Sequence, residues 1–200
     1  MKSVLLLLAA LFAAQTTETL TRAERDKAVR ELQESKKAFL ESSAGLSDAQ
    51  WNFKPGPDRW SVAECVEHVT LTQDLLYGVV TGSLVKSPAE PAKREAVKGK
   101  DETVLTMTPD RSHKFKAPEA LVPTKKFGTP AETLKHYDAA HDRMVEYVKT
   151  TQDDLRDHFQ DHPVLGPLDG YQWILLVAAH TRRHTEQILE VKAAPNFPQS

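Results

Sequence analysis

Residues 169–193 read DGYQWILLVAAHTRRHTEQILEVKA, and their pattern decides the fold. Asp169 is placed to cap a helix that the spacing carries to about Ala193. Its apolar stripe is Trp173, Val177, His180, His184, Gln187 or Ile188, and Val191, at intervals of three and four. Two histidines therefore stand where a helix bundle ordinarily places Leu or Val. Four residues apart, His180 and His184 share one face one turn apart, so their ring nitrogens can reach a single metal ion at about 2.0–2.1 Å. The spacing alone is not specific, since paired histidines also occur on solvated faces. Its position on the core stripe adds weight, because an unpaired imidazole there is costly to desolvate.

Working back toward the N-terminus, a turn is read at 162–170 and a third helix from Thr129 to about Thr150. Thr129, Pro130 and Glu132 supply its cap, first position and capping box, and Leu134, Tyr137, His141, Val145 and Val148 its stripe. From Lys86 to Lys126 the chain is polar and proline-bearing, with only Thr103 to Met107 locally ordered. This segment reads as a long surface crossover, either a lid over a site or a loop that merely joins two helices. A second helix begins at Ser61, boxed by Glu64, and runs to about Leu84 on Val62, Val66, Val69 and Leu76. Trp51 to Arg59 is a proline- and glycine-broken loop expected to tuck against the core. Thr21 to Ser43 makes the first helix, with Gly45 as its stop. No strand pattern, internal repeat or low-complexity tract competes. The expectation is all-α: one four-helix bundle domain over 21–194, with a flexible segment at 15–20, a tail at 195–200, and a long second connection that permits a non-simple topology.

The 200 residues suit one domain, and 40% apolar with 27% charged is an ordinary globular composition. A net charge of −2, without a basic stripe, argues against nucleic acid as a partner. Met1-Lys2-Ser3 followed by the apolar run Val4 to Ala14 has a signal peptide's layout, 1–14, with cleavage expected near Ala14 and a periplasmic or extracellular destination. The alternative is an uncleaved, membrane-tethering start. The run is too short for a stable span, so no membrane span is expected after processing. Cys65 is the sole cysteine, which excludes an internal disulfide.

His68, on the second helix, can face the His180/His184 pair and supply a third ligand. Three histidines without a fourth strong ligand leave a coordination position for water or substrate, as catalytic centres do. His141, also on an inward stripe, is open to three roles: fourth ligand, hydrogen-bond partner of a ligand, or core histidine bonded to a backbone carbonyl. Gln187, one turn beyond His184, can hold a metal-bound water or a substrate group, or bond across helices. Cys65 reads as a small buried hydrophobe, Glu64 as part of the cap and Glu67 as a solvated face. Arg182 and Arg183 are placed outside the site, and His113, His136, His158 and His162 need no special role.

Trp60-Ser61-Val62-Ala63-Glu64-Cys65-Val66-Glu67-His68, followed by His180-Thr181-Arg182-Arg183-His184-Thr185-Glu186-Gln187, resembles the DinB-like (DinB/YfiT-like) metalloprotein superfamily. Gly166-Pro167-Leu168 and Tyr171-Gln172-Trp173 look familial too, and the resemblance covers about Thr21 to Ala193. It implies an up-up-down-down four-helix bundle, often dimeric, with zinc or nickel held by His68, His180 and His184. Members with known activity include thiol-dependent transferases and isomerases using bacillithiol or mycothiol. The export signal departs from them, because those thiols are chiefly cytoplasmic. Two functions follow as expectations. One is a metal-dependent hydrolase or thiol transferase acting on a small molecule; the other is a non-catalytic metal or small-ligand binding module outside the cytoplasm.

Overall fold

A computed structural model describes residues 19–199. The expected signal peptide, 1–14, and residues 15–18 lie outside the described residues. The elements are α1 (Arg22–Ser43), α2 (Asp48–Asn52), α3 (Val62–Gly78), α4 (Lys100–Met107), α5 (Pro130–Thr150), β1 (Phe159–His162), β2 (Gly166–Asp169) and α6 (Gly170–Lys192). All four long helices open on a complete capping box: Thr21 with Glu24, Ser61 with Glu64, Thr129 with Glu132, and Asp169 with Gln172. Each box satisfies two backbone N–H groups that a helix start otherwise leaves without partners. The ends of these helices are thus written locally, and their pairing is written in the stripes.

The four long helices form the expected bundle, in which α1 and α3 each pack on both α5 and α6. Side-chain pairs give the directions. Tyr171 Oη donates to the Glu24 carbonyl and Lys192 Nζ to that of Ser42, so α1 and α6 are parallel. Arg25 reaches the Thr151 carbonyl and His141 that of Leu32, so α5 runs against α1. Gln73 bonds His141 while Tyr77 meets Tyr147, so α3 and α5 are parallel. The order is therefore up-down-down-up, a correction to the up-up-down-down order implied by the resemblance. The physical cause lies in the connections: the crossover after α3 carries the chain back along the bundle before α5 starts, whereas the other two connections reverse it.

That crossover is better ordered than its polar composition predicts. After α3 the helix continues through a π turn (Val79–Ser83) and a 3-10 turn (Leu84–Lys86). Further 3-10 turns follow at Pro91–Val97 and Glu119–Leu121, with α4 between them. Val97, Val104 and Leu121 are buried, and α4 lies on α6. Polar anchors do much of the holding. Gln172 Nε2 donates to the Val97 carbonyl, and Arg183 binds the carbonyls of Thr108, Asp110 and His113. Such anchors have no period, so hydrophobic patterning does not reveal them.

Two further corrections concern short elements. The turn expected at 162–170 is an antiparallel hairpin, β1 with β2, whose strands are too short to show alternation. His162 closes it, its Nδ1 accepting the N–H groups of Val164 and Leu165, and Gly166 takes a left-handed φ of +68°. The single turn of α2, capped by Ser47 and Gln50, takes up Trp51 and Asn52, the first two residues of the loop read from Trp51. At the ends of the described chain, Leu20 is buried in the core, and Phe197 packs edge-on against Phe53.

Buried apolar residues fall into two clusters. The larger joins the start of α1 and α6 to the ends of α3 and α5, and the smaller holds Phe39, Trp51, Val62, Cys65, Val66 and Tyr137 toward the other end. Along the helices Gln73, His141, Thr181 and His184, all buried, lie between the two, and buried His68 stands among the α3 residues of the smaller.

Candidate metal centre

Antiparallel packing of α3 on α6 brings His68 to His180 and His184. The His180 Nε2 stands 3.3 Å from the Nε2 of His68 and 3.2 Å from that of His184, and the three rings offer ligand atoms all within 4.8 Å of one another. Two nitrogens bound tetrahedrally to one ion at about 2.0–2.1 Å stand about 3.3–3.4 Å apart. The spacing fits.

The proton arrangement supports the same fit. His68 Nδ1 lies 2.9 Å from the Leu121 carbonyl, which can only accept, so Nδ1 carries the proton and Nε2 presents a lone pair. His180 sits between His68 and His184, and a proton on its Nε2 can serve only one of them. His184 Nδ1 is buried without a hydrogen-bond partner. One shared proton leaves this nitrogen cluster incompletely satisfied, whereas one cation satisfies three lone pairs. Burial is the main influence on all three rings, pushing His68 below the ordinary imidazole range and His180 and His184 well below it. Nearby positive charge on Arg111 and Arg183 acts on His184 in the same direction. The rings are thus uncharged at neutral pH, the form in which imidazole is a ligand.

Trp60 covers the cluster from the start of α3, its ring 4.8 Å from that of His68 and stacked 6.3 Å from that of His184. The other sequence candidates are placed elsewhere. His141 is fully buried and bonded at both nitrogens, donating from Nε2 to the Leu32 carbonyl and accepting at Nδ1 from Gln73. Of its three readings, it takes that of a core histidine. Gln187 is half-buried, and its Oε1 accepts from Arg111, which also pairs with Glu190. Cys65 is buried in the smaller apolar cluster, and burial pushes its thiol up, so it is neither a thiolate nor part of the histidine group.

Three residues near the site have roles that the sequence reading missed. Glu67 is buried, not solvated: its carboxylate accepts the backbone N–H groups of Thr124, Lys125 and Lys126 at 2.8–2.9 Å. Leu121 orients His68 through its carbonyl. Arg183, placed outside the site by the sequence, does not join the histidines but ties the crossover to α6. Only Glu67 carried a local signal, its place beside His68.

A model of the DinB superfamily matches residues 31–188. The chain belongs to the DinB superfamily. This DinB chain is 27% identical over 148 residues to the uncharacterized protein YuaE of Bacillus subtilis (strain 168), covering 74% of the chain and 86% of that relative. Its fold is similar to that of YfiT from Bacillus subtilis, described as a probable metal-dependent hydrolase with an unusual four-helix bundle topology. The TM-score is 0.55 at 15% identity, over 90% of this chain and 93% of YfiT.

Proposed function

We propose that this DinB-superfamily chain is a metal-dependent hydrolase of a small molecule, with one divalent ion, zinc or nickel, held by the Nε2 atoms of His68, His180 and His184. The observation that carries the reading is the convergence of three uncharged imidazoles at ligand spacing, with His141 and Cys65 both engaged elsewhere. An ion held by three ligands supplies Lewis acidity and lowers the pKa of a coordinated water toward neutrality. The chain's own groups prepare the site. The Leu121 carbonyl fixes the tautomer of His68, Trp60 shields two rings from solvent, and Arg111 holds the Gln187 amide on the turn after His184. The description of YfiT as a probable metal-dependent hydrolase agrees with this reading.

The test is metal analysis of tag-free protein, followed by hydrolase and thiol-transfer screens before and after chelation. One ion per chain, with hydrolysis lost on chelation and restored by zinc or nickel, is the expected result. Thiol transfer in place of hydrolysis would replace the reaction but keep the site. Stoichiometric metal whose removal lowers only the melting temperature would favour a non-catalytic binding module. Export is part of the proposal, resting on Lys2 and the Val4–Ala14 run, and intact mass from the native host checks it. So is a homodimer, for which Leu75 and Leu189 supply exposed apolar side chains and light scattering is the measurement.

A further inference from the structure

The crossover hydrogen-bonds the candidate metal centre through the Leu121 carbonyl. Leu121 belongs to a 3-10 turn, and three residues later the chain enters the Thr124–Lys126 segment, where Lys125 takes a left-handed φ of +64°. A non-glycine residue in that region costs free energy and persists only where its surroundings hold it. What holds it is the Glu67 carboxylate, which gathers three successive backbone N–H groups into one concave anion site. Glu67 directly precedes His68 on α3. One helix thus carries both the ligand and the carboxylate that fixes the strand of chain opposite it.

We infer that Glu67 is a positioning residue for His68, holding the 121–126 backbone so that the Leu121 carbonyl keeps the His68 proton on Nδ1 and the Nε2 lone pair turned to the ion. The inference rests on the reading of His68, His180 and His184 as ligands. Without Glu67 three part-buried N–H donors lose their acceptor, the left-handed turn relaxes, and the carbonyl drifts from His68. An imidazole lacking that acceptor is free to place its proton on Nε2, where it blocks coordination. Gln at position 67 keeps the shape but offers one accepting oxygen in place of two, and turns an NH2 donor toward N–H groups.

The decisive measurement is the imidazole nitrogen–proton correlation spectrum of metal-free, 15N-labelled protein, paired with zinc affinity from competition against a chromophoric chelator. In the natural chain His68 reads as the Nδ1–H tautomer. Glu67→Ala is expected to shift it toward Nε2–H and to weaken zinc about 10- to 100-fold, the usual cost of losing a group that orients a ligand, with Glu67→Gln in between. Met144→Ala, a core change on α5 in the larger apolar cluster and outside the 121–126 segment, is expected to lower the melting temperature and leave tautomer and affinity unchanged. If Glu67→Ala does not fold, Glu67→Gln gives the same reading with a smaller shift. An unchanged tautomer and affinity in the folded Glu67 variant overturns the inference, as does an equal shift in Met144→Ala. A natural chain that takes up no zinc but shows the tautomer shift on substitution sinks the metal reading, while leaving the Glu67–Leu121–His68 linkage intact.

Discussion

At one end of the bundle the Arg156 guanidinium lies 2.7–2.8 Å from the carboxylates of Glu24, Asp101 and Asp169. Toward the other end, the Nε2 atoms of His68 and His184 stand 3.3 and 3.2 Å from that of His180, with no acid among the three. Both groups join separate parts of the chain at a partly buried point. The acidic group already contains its cation, supplied by residue 156, and every carboxylate is paired. The imidazole group has no charged side chain among its members and shares too few protons for its lone pairs. A cluster of metal-ligating residue types is thus no guide by itself. What separates a structural knot from a ligand set is whether the fold has already neutralised it.

The largest effect is expected at His184. Replacing it with Ala removes one of three nitrogens, and we expect stoichiometric metal to vanish by elemental analysis. The added stabilisation by zinc, about 2.7 kcal/mol at one hundred times Kd, should vanish in thermal melts as well. A His184→Ala protein that binds metal as the natural chain does would refute the three-histidine site. At the other end, Arg156→Gln leaves the fully buried Asp169 without its cation and should cost roughly 3–5 kcal/mol in urea unfolding, with metal stoichiometry unchanged. Added zinc should not replace the lost stability. If it does, the acidic group is a metal site too and the distinction drawn above fails.

His141 is an imidazole whose two nitrogens are already satisfied. Burial lowers its pKa to about 4, against 6.5 in the unfolded chain. Because the unfolded state then binds the proton more readily, its stabilising effect is complete above pH 6.5 and is lost as the pH falls toward 4. The full loss is about 3 kcal/mol, on the order of 1.4 kcal/mol per pKa unit. Urea unfolding of metal-free natural chain and His141→Gln at several pH values isolates the effect. The difference between them should narrow across that window, and parallel curves would show that His141 titrates normally. The smallest change is Cys65→Ser, which places a hydroxyl in the smaller apolar cluster at about 1 kcal/mol. Metal content should stay the same, and a metal-free Cys65→Ser protein would return Cys65 to the ligand set.

Much of this architecture was legible in the chain because it is encoded over short distances. The capping boxes at Thr21, Ser61, Thr129 and Asp169 start four helices within a residue of where the sequence places them, and the stripe through His180 and His184 marks the inward face of α6. The motif around His68 and the pair on α6 together pointed to the family. What escaped was encoded over long distances or by backbone. The hairpin strands are too short to alternate, and the crossover is anchored by Arg183, Gln172 and Glu67 to carbonyl and N–H groups that no residue pattern reports.

The helices, the side each one buries and the histidines on those sides follow from the chain alone, since propensity, capping and periodicity act within a few residues. The up-down-down-up order, the place of His141 in the core and the bond from His68 to the Leu121 carbonyl emerge only in the packed fold. Each of these depends on where a distant segment comes to rest, and a hydrogen bond to a backbone atom leaves no mark on the identity of the residue that provides it.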